Sequence, residues 1–526
     1  MTRTHLTTLA VATLVVLSTL GATGAAVAAD GDTITYGPSS TPSWIVTVEN
    51  GSLDTLDSWA ASGDDRAVLA THNASNTAVV RAPSAAAGQG LLQRVLNDGL
   101  AHNGYVVDVT PNIQHSLAEP VGLENQSAVS NPGWRARALA GLGGLGSADW
   151  SPAGIAYAED ADRALPRDVR DLLGVDEVSA TGDGATVAVI DSGVNAGNGR
   201  VFGNGTAGSA TRILDASKDF VENETVAADG LDAVADPNGH GTWVASSIAA
   251  NHSNDAFDGI APDADVLALR ALDDEGSGST ADIASAVRYA ADHDADSIVM
   301  SLGSPVYDDA LTDALEYATD EGVTGIAIAA GNSRQTTRWL ASPADAPVDG
   351  VAAVTATNTS ANASSAGVAY FANIGNDPGV SDGSLGTTRG ETVDVGAPGM
   401  NLVAKTPTTS GTVVNSTKSG TSMAGPQVGS FPLLGVESGA EWVGDAPAFT
   451  EALRDTARPV PNAPATEIGA GMAAADKLLA GNTTGSQADA MTDTAAGRDA
   501  FWEGLSGSQR YDPSDWISSR LQGLAN

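Results

Sequence analysis

The sequence predicts an α/β domain, a mostly parallel sheet with helices on both faces, preceded by a smaller α+β unit. Two observations carry this. Beyond residue 180, short continuous apolar runs alternate with stretches of helical spacing. That is the pattern of strands buried on both faces and joined by crossover helices. Ahead of it, between Trp44 and Gln114, the elements run βαββαβ, the ferredoxin-like order.

In the small unit, Trp44 to Val48 reads as a strand and Leu53 to Ala61 as a short helix. Ala67 to Ala70 and Ala78 to Val80 read as strands around the turn residues Asn73 to Asn76. Gly90 to Leu100 has helical spacing at Leu92, Val95 and Leu100, and Tyr105 to Val109 is again strand-like. Before this unit, Met1 to Ala29 has the form of a secretory signal, with Arg3, the apolar run Leu9 to Leu20 and a small-residue cleavage site at Ala26-Val27-Ala28. The run is short for a spanning helix, and no Arg-Arg pair precedes it, which favours the general secretion route.

In the large region the predicted buried strands are Thr186 to Ile190, Val266 to Leu269, Ser297 to Met300, Gly325 to Ala329 and Val351 to Val354. Ile283, Val287 and Ala290 recur at helical spacing, as do Leu311, Leu315 and Ala318. Asn125 to Asp149, rich in Gly, Ala and Ser, reads as a loop or linker.

The chain has 526 residues and a formal net charge of -39, with only four lysines: Lys218, Lys405, Lys418 and Lys477. No basic patch speaks for nucleic acid. With 42% hydrophobic residues, the chain has the material for a large core. Self-repulsion at this charge is costly in dilute buffer and is screened by concentrated salt, so a saline setting is expected. There is no cysteine, so no disulfide framework exists.

Four short stretches carry chemistry. Asp191 follows a predicted strand in Val189-Ile190-Asp191-Ser192-Gly193, at the edge where such sheets hold their active sites. His240 stands in Asn238-Gly239-His240-Gly241-Thr242, before a helical run ending near Ala250. Asn332 follows a strand in Ala329-Ala330-Gly331-Asn332-Ser333, where its amide is available to a developing oxyanion. Ser422 lies in Ser419-Gly420-Thr421-Ser422-Met423-Ala424-Gly425-Pro426, with Pro426 expected in the first turn of a helix. Alone, Asp and Asn are turn residues, Gly-x-Ser is a loop or cap, and a single His is ordinary. The remaining histidines, His5, His72, His102, His115, His252 and His293, receive that ordinary role.

Together and in the order Asp, His, Ser, these stretches resemble the subtilisin-like serine proteases, and among them the extracellular halophilic members. The resemblance covers roughly residues 165–480, with further matches at Gly259-Ile260-Ala261-Pro262, Met300-Ser301-Leu302-Gly303 and Ala397-Pro398-Gly399. It implies Asp191, His240 and Ser422 as the catalytic triad and Asn332 as an oxyanion donor. It also implies Gly276, Ser277, Gly278, Ser301, Leu302 and Gly303 as backbone edges for an extended peptide. Ser301 to Gly303, Ala329 to Gly331 and Ala341 would line the pocket before the scissile bond, with room for bulky apolar side chains. Asp219, Glu222 and Glu224 resemble a calcium loop of thermitase-like members, with Glu replacing Asp at two places; a solvated acidic loop is the alternative. No cofactor is required for the chemistry.

The implied organisation is a signal peptide at 1–29, an inhibitory, chaperone-like propeptide at 30–118, a catalytic domain at 119–480 and a tail of unassigned role at 481–526. Four departures stand out. Trp243 replaces a common His, Ser246 a common Gly, and Gln427 a common His, while Pro432 falls where the helix after the nucleophile should continue. The expected protein is a secreted, autoprocessed, monomeric serine endopeptidase. It acts on polypeptides, is inhibited by its own propeptide, and has no nucleic-acid partner and no membrane association after signal removal. A catalytically inactive surface or binding protein of the same fold is the alternative.

Overall fold

The computed structural model describes residues 25–27, 33–35, 43–49, 52–62, 66–72, 76–83, 100, 105–117, 155–156 and 163–484, the last with gaps at 204–207, 209, 253–255, 305–306, 335–338, 360–365, 376–391 and 461–462. Apart from the short pair Ala25–Val27 and Thr33–Thr35, the predicted signal peptide lies outside the described residues. So do the predicted helix before Leu100, the linker 125–149 and the tail beyond residue 484. Two compact units are distinguished, the smaller built mainly from residues up to Gln114 and the larger mainly from residues beyond it, and each is described by itself.

The smaller unit is a four-stranded antiparallel sheet with one described helix. Its strands are β1 (Ser43–Val48), β2 (Ala67–His72), β3 (Thr77–Arg81) and β4 (Val106–Pro111), with α1 (Asp54–Ala60) between the first two. They lie in the order β2-β3-β1-β4, the ferredoxin-like strand order expected from the sequence. Trp44, Val46, Val48, Leu56, Val80 and Leu100 make its core.

The larger unit begins with β5 (Gln114–Ser116) and continues through β6 (Ile155–Ala156) and α2 (Pro166–Leu173). There follow β7 (Thr186–Asp191), β8 (Lys218–Asp219), β9 (Glu224–Thr225), α3 (His240–Ala249), β10 (Asp265–Arg270), β11 (Ser277–Ser279) and α4 (Thr280–Asp292). Next come β12 (Ser297–Met300), α5 (Asp309–Asp320), β13 (Gly325–Ala329), β14 (Val351–Thr357), β15 (Val368–Ala369) and β16 (Val395–Pro398). The last elements are β17 (Leu402–Pro407), β18 (Val413–Lys418), α6 (Thr421–Gly429), α7 (Phe431–Ser438), α8 (Ala446–Thr456) and α9 (Ala475–Leu479).

The main sheet runs β9-β8-β10-β7-β12-β13-β14-β15-β6, with β16 also paired to β14. From β8 to β16 the central pairings are parallel. All five predicted strands fall in it. Side-chain alternation along the strands divides the core. Val187, Val189, Val266, Ala268 and Val299 pack with Ile248 of α3 and Val428 of α6 on one face. Ala188, Ile190, Leu267, Leu269 and Ile298 pack with Val287 of α4 and Leu315 of α5 on the other. Strands buried on both faces need apolar residues at every position, which is why they read as continuous runs.

The chain leaves β7 for neighbours on one side, β8 and β10, then crosses to the other side for β12, β13 and β14. The crevice beyond the carboxyl ends at such a reversal is where these sheets hold ligands. Asp191 is the last residue of β7. Ser301 directly follows β12, and Asn332 lies three residues past β13.

Candidate active site

Asp191 is buried, and the Nδ1 of His240 stands 2.9 Å from its Oδ1 and 3.0 Å from its Oδ2. The N–H of Ser192 donates to Asp191 Oδ1 at 2.7 Å, fixing the carboxylate. His240 is the first residue of α3, and Gly239 before it has a φ of 82°. Gly241 permits the close approach: a Cβ there would stand 2.3 Å from the carbonyl oxygen of Gly193 and 2.9 Å from Asp191 Cβ. Any side chain would push the imidazole away from its carboxylate.

A second buried acid, Asp236, braces this pair. Its Oδ1 accepts from Ser192 Oγ at 2.9 Å and from the Gly239 N–H at 2.7 Å. Its Oδ2 accepts the N–H and hydroxyl of Thr242 at 2.8 and 2.6 Å. Asn195 closes the network, donating to the Asp236 carbonyl and accepting the Asp236 N–H. The turn before His240 is thus held to the end of β7 by a hydrogen-bonded set with fixed geometry. The only sequence signal was an Asp in a Pro-Asn-Gly turn.

Ser422 is the second residue of α6, where N–H groups of the first turn have no acceptor within the helix. Its Oγ donates to the carbonyl oxygen of Ser301 at 3.3 Å. That is its hydrogen bond among the described residues. Because β7 and β12 are adjacent, the Asp191–His240 pair and the Ser301–Ser422 pair sit at neighbouring strand ends. Pro426 is in the second turn of α6 rather than the first. Its missing N–H leaves the Ser422 carbonyl without a helical donor, and Ser301 Oγ donates to it instead at 3.0 Å.

Asn332 is buried beside the nucleophile's turn. Its Oδ1 accepts the N–H of Thr421 at 2.8 Å and the Thr421 hydroxyl at 3.0 Å. With the amide oxygen so engaged, the NH₂ end is the donor. Gly420 has φ 154° and ψ 162°, and a Cβ there would stand 3.2 Å from Asn332 Nδ2. A side chain at Gly420 would crowd that end of the amide.

The predicted peptide edges carry a peptide, and it belongs to this chain. Ser116 exchanges both backbone hydrogen bonds with Gly303, at 3.2 and 3.1 Å, in an antiparallel bridge. The Leu117 N–H donates to the Gly276 carbonyl at 2.9 Å, and β5 pairs with β11, which contains Ser277 and Gly278. Leu302 is buried between Ser301 and Gly303. Ala329 ends β13, and a Cβ on either Gly303 or Gly331 would come within about 3 Å of Ala341 Cβ. Gly303, Gly331 and Ala341 are therefore neighbours.

The acidic loop is different. Asp219 Oδ2 is 2.6 Å from Arg270 Nη1, and its Oδ1 accepts the N–H groups of Val221 and Glu222. Glu222 and Glu224 are exposed on the hairpin of β8 and β9. Among the described residues no three acidic or histidine side chains converge on a point that could hold a metal. Asp219, Glu222 and Glu224 do not fit a cation as the expected calcium set, because an arginine and two amides already satisfy the central carboxylate.

Three of the four departures have a structural account. Pro432 does not interrupt a helix: α6 ends at Gly429, and Pro432 lies in the first turn of α7, where its missing N–H costs little. Gln427 Nε2 donates to the Pro398 carbonyl at 2.7 Å and back to Met423 at 2.9 Å. Trp243, buried in the core, donates from Nε1 to Ser416 of β18 at 3.3 Å.

A buried carboxylate–imidazole pair, a serine at a helix start and a fixed amide on one sheet edge define a serine hydrolase of the α/β class. Residues 182–471, more than half of the chain, match the model of the subtilase (peptidase S8) family. The chain belongs to the subtilase family of serine endopeptidases. It is 34% identical over 250 residues to thermitase of Thermoactinomyces vulgaris, covering 47% of this chain and 74% of thermitase. It is 32% identical over 260 residues to subtilisin DY of Bacillus licheniformis, covering 49% and 79%. With a subtilisin of Bacillus sp. strain TA39 it shares 32% over 290 residues, covering 54% and 64%. The crystal structure of fervidolysin from Fervidobacterium pennivorans, a keratinolytic enzyme related to subtilisin, superposes with a TM-score of 0.58. It covers 84% of this chain and 61% of fervidolysin at 20% identity, and that likeness concerns the fold.

Proposed function

We propose that this subtilase is a secreted, salt-adapted endopeptidase that cuts extended polypeptides and matures by cutting its own precursor. The observation that carries the proposal is the strand-like seating of Ser116 and Leu117 against Gly303 and Gly276, with Gly303 two residues from the Ser301 carbonyl that holds Ser422. In this reaction Ser422 Oγ attacks the substrate carbonyl carbon while His240 Nε2 takes the hydroxyl proton. The carbonyl π pair moves to oxygen, and the oxyanion is held by Asn332 Nδ2 and the Ser422 N–H. His240 then gives its proton to the leaving amine as the C–N bond breaks, and water releases the acyl group by the same steps. Asp191 keeps the proton on Nδ1 and stabilises the imidazolium. All groups in this sequence are side chains and backbone of the chain, and no cofactor enters it.

In an antiparallel pair, two residues beyond the partner of Gly303 comes the partner of Ser301. Counting on from Ser116 gives Ala118, so the maturation cut is assigned to the bond between Ala118 and Glu119. This supports a propeptide at 30–118 that acts as the enzyme's own inhibitor, with residues 1–29 as signal peptide and 119–480 as the catalytic domain. The mature enzyme is proposed to be a monomer; no described helix is long and apolar enough to cross a membrane.

Labelling with a serine-directed fluorophosphonate tests the chemistry: the wild type should label and Ser422→Ala should not. Ser422→Ala should also remain an uncut precursor, whereas N-terminal sequencing of the secreted wild type should begin at Glu119. A Ser422→Ala chain that matures alone at the same bond would refute self-cleavage. The charge of -39 supports salt adaptation. Full activity after dilution into low-salt buffer would remove that part of the proposal.

A further inference from the structure

We infer that Asn373 is a positioning residue for the oxyanion donor, holding the main chain of Asn332 from both sides. The inference rests on the endopeptidase reaction proposed above and adds a residue to it. Asn373 lies just past the turn that follows β15, in a part of the chain that no catalytic motif touches.

Asn373 is buried, with 2% of its surface exposed. Its N–H donates to the Gly331 carbonyl at 2.9 Å, and its Oδ1 accepts the Ser333 N–H at 2.8 Å. Both bonds come from one residue, and they reach the residues on either side of Asn332. Beyond them the Arg334 N–H donates to the Phe371 carbonyl at 3.1 Å. The chain from Gly331 to Arg334 therefore lies along the chain from Phe371 to Asn373. Gly331 has a φ of 104°, and its own N–H donates to the Thr421 hydroxyl oxygen at 3.1 Å. A Cβ on Gly331 would stand 2.5 Å from Asn373 Nδ2, so a side chain there would displace the Asn373 amide.

Thr421 holds the side-chain oxygen of Asn332. Asn373 holds the main chain from which that side chain springs. An oxyanion donor works by standing in place before charge develops, so its value depends on where its backbone is fixed. Misplacement by about 1 Å costs up to about 100-fold in rate. Asn373 acts only through Asn332, so its contribution to kcat should exist only while Asn332 carries its amide. A residue that merely stabilised the fold would show its effect with or without that amide.

The test is a double-mutant cycle on the active enzyme, with a quenched fluorescent peptide built on residues 115–120, His-Ser-Leu-Ala-Glu-Pro. Asn373→Ala keeps the main-chain bond to Gly331 and removes the acceptor for Ser333. It should lower kcat by about tenfold, with KM within about twofold. In the Asn332→Ala background the same change should lower kcat by less than about twofold. An equal loss in both backgrounds, an unchanged kcat beside an intact Asn332, or a loss confined to KM would overturn the inference and leave the endopeptidase standing. An Asn332→Ala enzyme with wild-type kcat would overturn the inference together with the oxyanion role of Asn332. A wild type that cuts no peptide would overturn the endopeptidase reading as well. If Asn373→Ala does not fold, Asn373→Ser, which keeps a shorter acceptor, takes its place. Its loss in kcat should be about threefold and should vanish in the Asn332→Ala background, and an equal loss in both backgrounds refutes the role of Asn373.

Discussion

Two aspartates end neighbouring parts of the same sheet row and do opposite things. Asp219 of β8 pairs in register with Arg270 of β10, which pairs in register with Asp191 of β7. Both acids are 1% exposed. Asp219 spends its oxygens on the guanidinium of Arg270 and two turn amides. Asp191 spends its oxygens on Ser192 and on an imidazole. Burial and strand position are therefore shared, and the partner decides the role. An arginine stays charged at any working pH, so its carboxylate has a structural task only. An imidazole gains and loses a proton near neutrality, so its carboxylate can support proton transfer.

The largest expected effect breaks that contrast directly. Asp191→Asn should lower kcat by about four orders of magnitude, the loss established for the equivalent change in serine proteases, with little change in melting temperature. Asp219→Ala should leave kcat within about twofold and cost about 1–3 kcal/mol of unfolding free energy, since it leaves the Val221 and Glu222 N–H groups unpaired while Arg270 keeps Asp274. Both are to be measured at one salt concentration. Loss of turnover in a stably folded Asp219→Ala would erase the distinction. Next in size is Asn332→Ala, with kcat lower by about two to three orders of magnitude and KM nearly unchanged, the size established for this donor in a subtilisin. A change confined to KM would assign Asn332 to ground-state binding. Asp236→Ala comes third: it should cost about 1–3 kcal/mol of stability through the donors of Ser192, Gly239 and Thr242 it leaves unpaired. It should also lower kcat, because these groups hold the turn that carries His240. Normal kcat in a destabilised protein would make Asp236 structural, like Asp219.

What the sequence revealed follows the same physics. Strands Ser297–Met300 and Gly325–Ala329 were predicted to the residue, because burial on both faces forces continuous apolar runs. Asp191, His240, Asn332 and Ser422 stood out because each has small neighbours at or just past a strand end, or at a helix start. Asp236, Ser192 and Asn195 did not, since a buried, fully bonded aspartate looks like any turn aspartate until its partners, distant in sequence, are known. The hairpin of β17 and β18 was missed because β18 is largely exposed and polar and shows no apolar alternation. Pro432 appeared to lie inside a helix because sequence alone did not show that α6 stops at Gly429. His115 appeared ordinary because its partner Asp308 is far along the chain and not set apart by composition.

The smallest effect extends the comparison to a charge with no role in chemistry. Glu437, exposed on α7, accepts the N–H groups of Thr181, Gly182 and Asp183 on one oxygen, at 2.6, 2.8 and 3.1 Å. Its slight burial pushes its pKa up, but the three amides outweigh that and hold it below the usual glutamate value. A carboxylate depressed in the folded state stabilises above its unfolded pKa, and that contribution disappears as pH falls through the folded value. Glu437→Gln should therefore lower stability at pH 7 by no more than about 1 kcal/mol, given its exposure. The gap between wild type and variant should narrow as pH drops below about 4. Thermal melts from pH 7 to pH 3 at fixed salt read this out. A gap that stays constant across that range would mean that the amide contacts, not the charge, hold α7 to this turn.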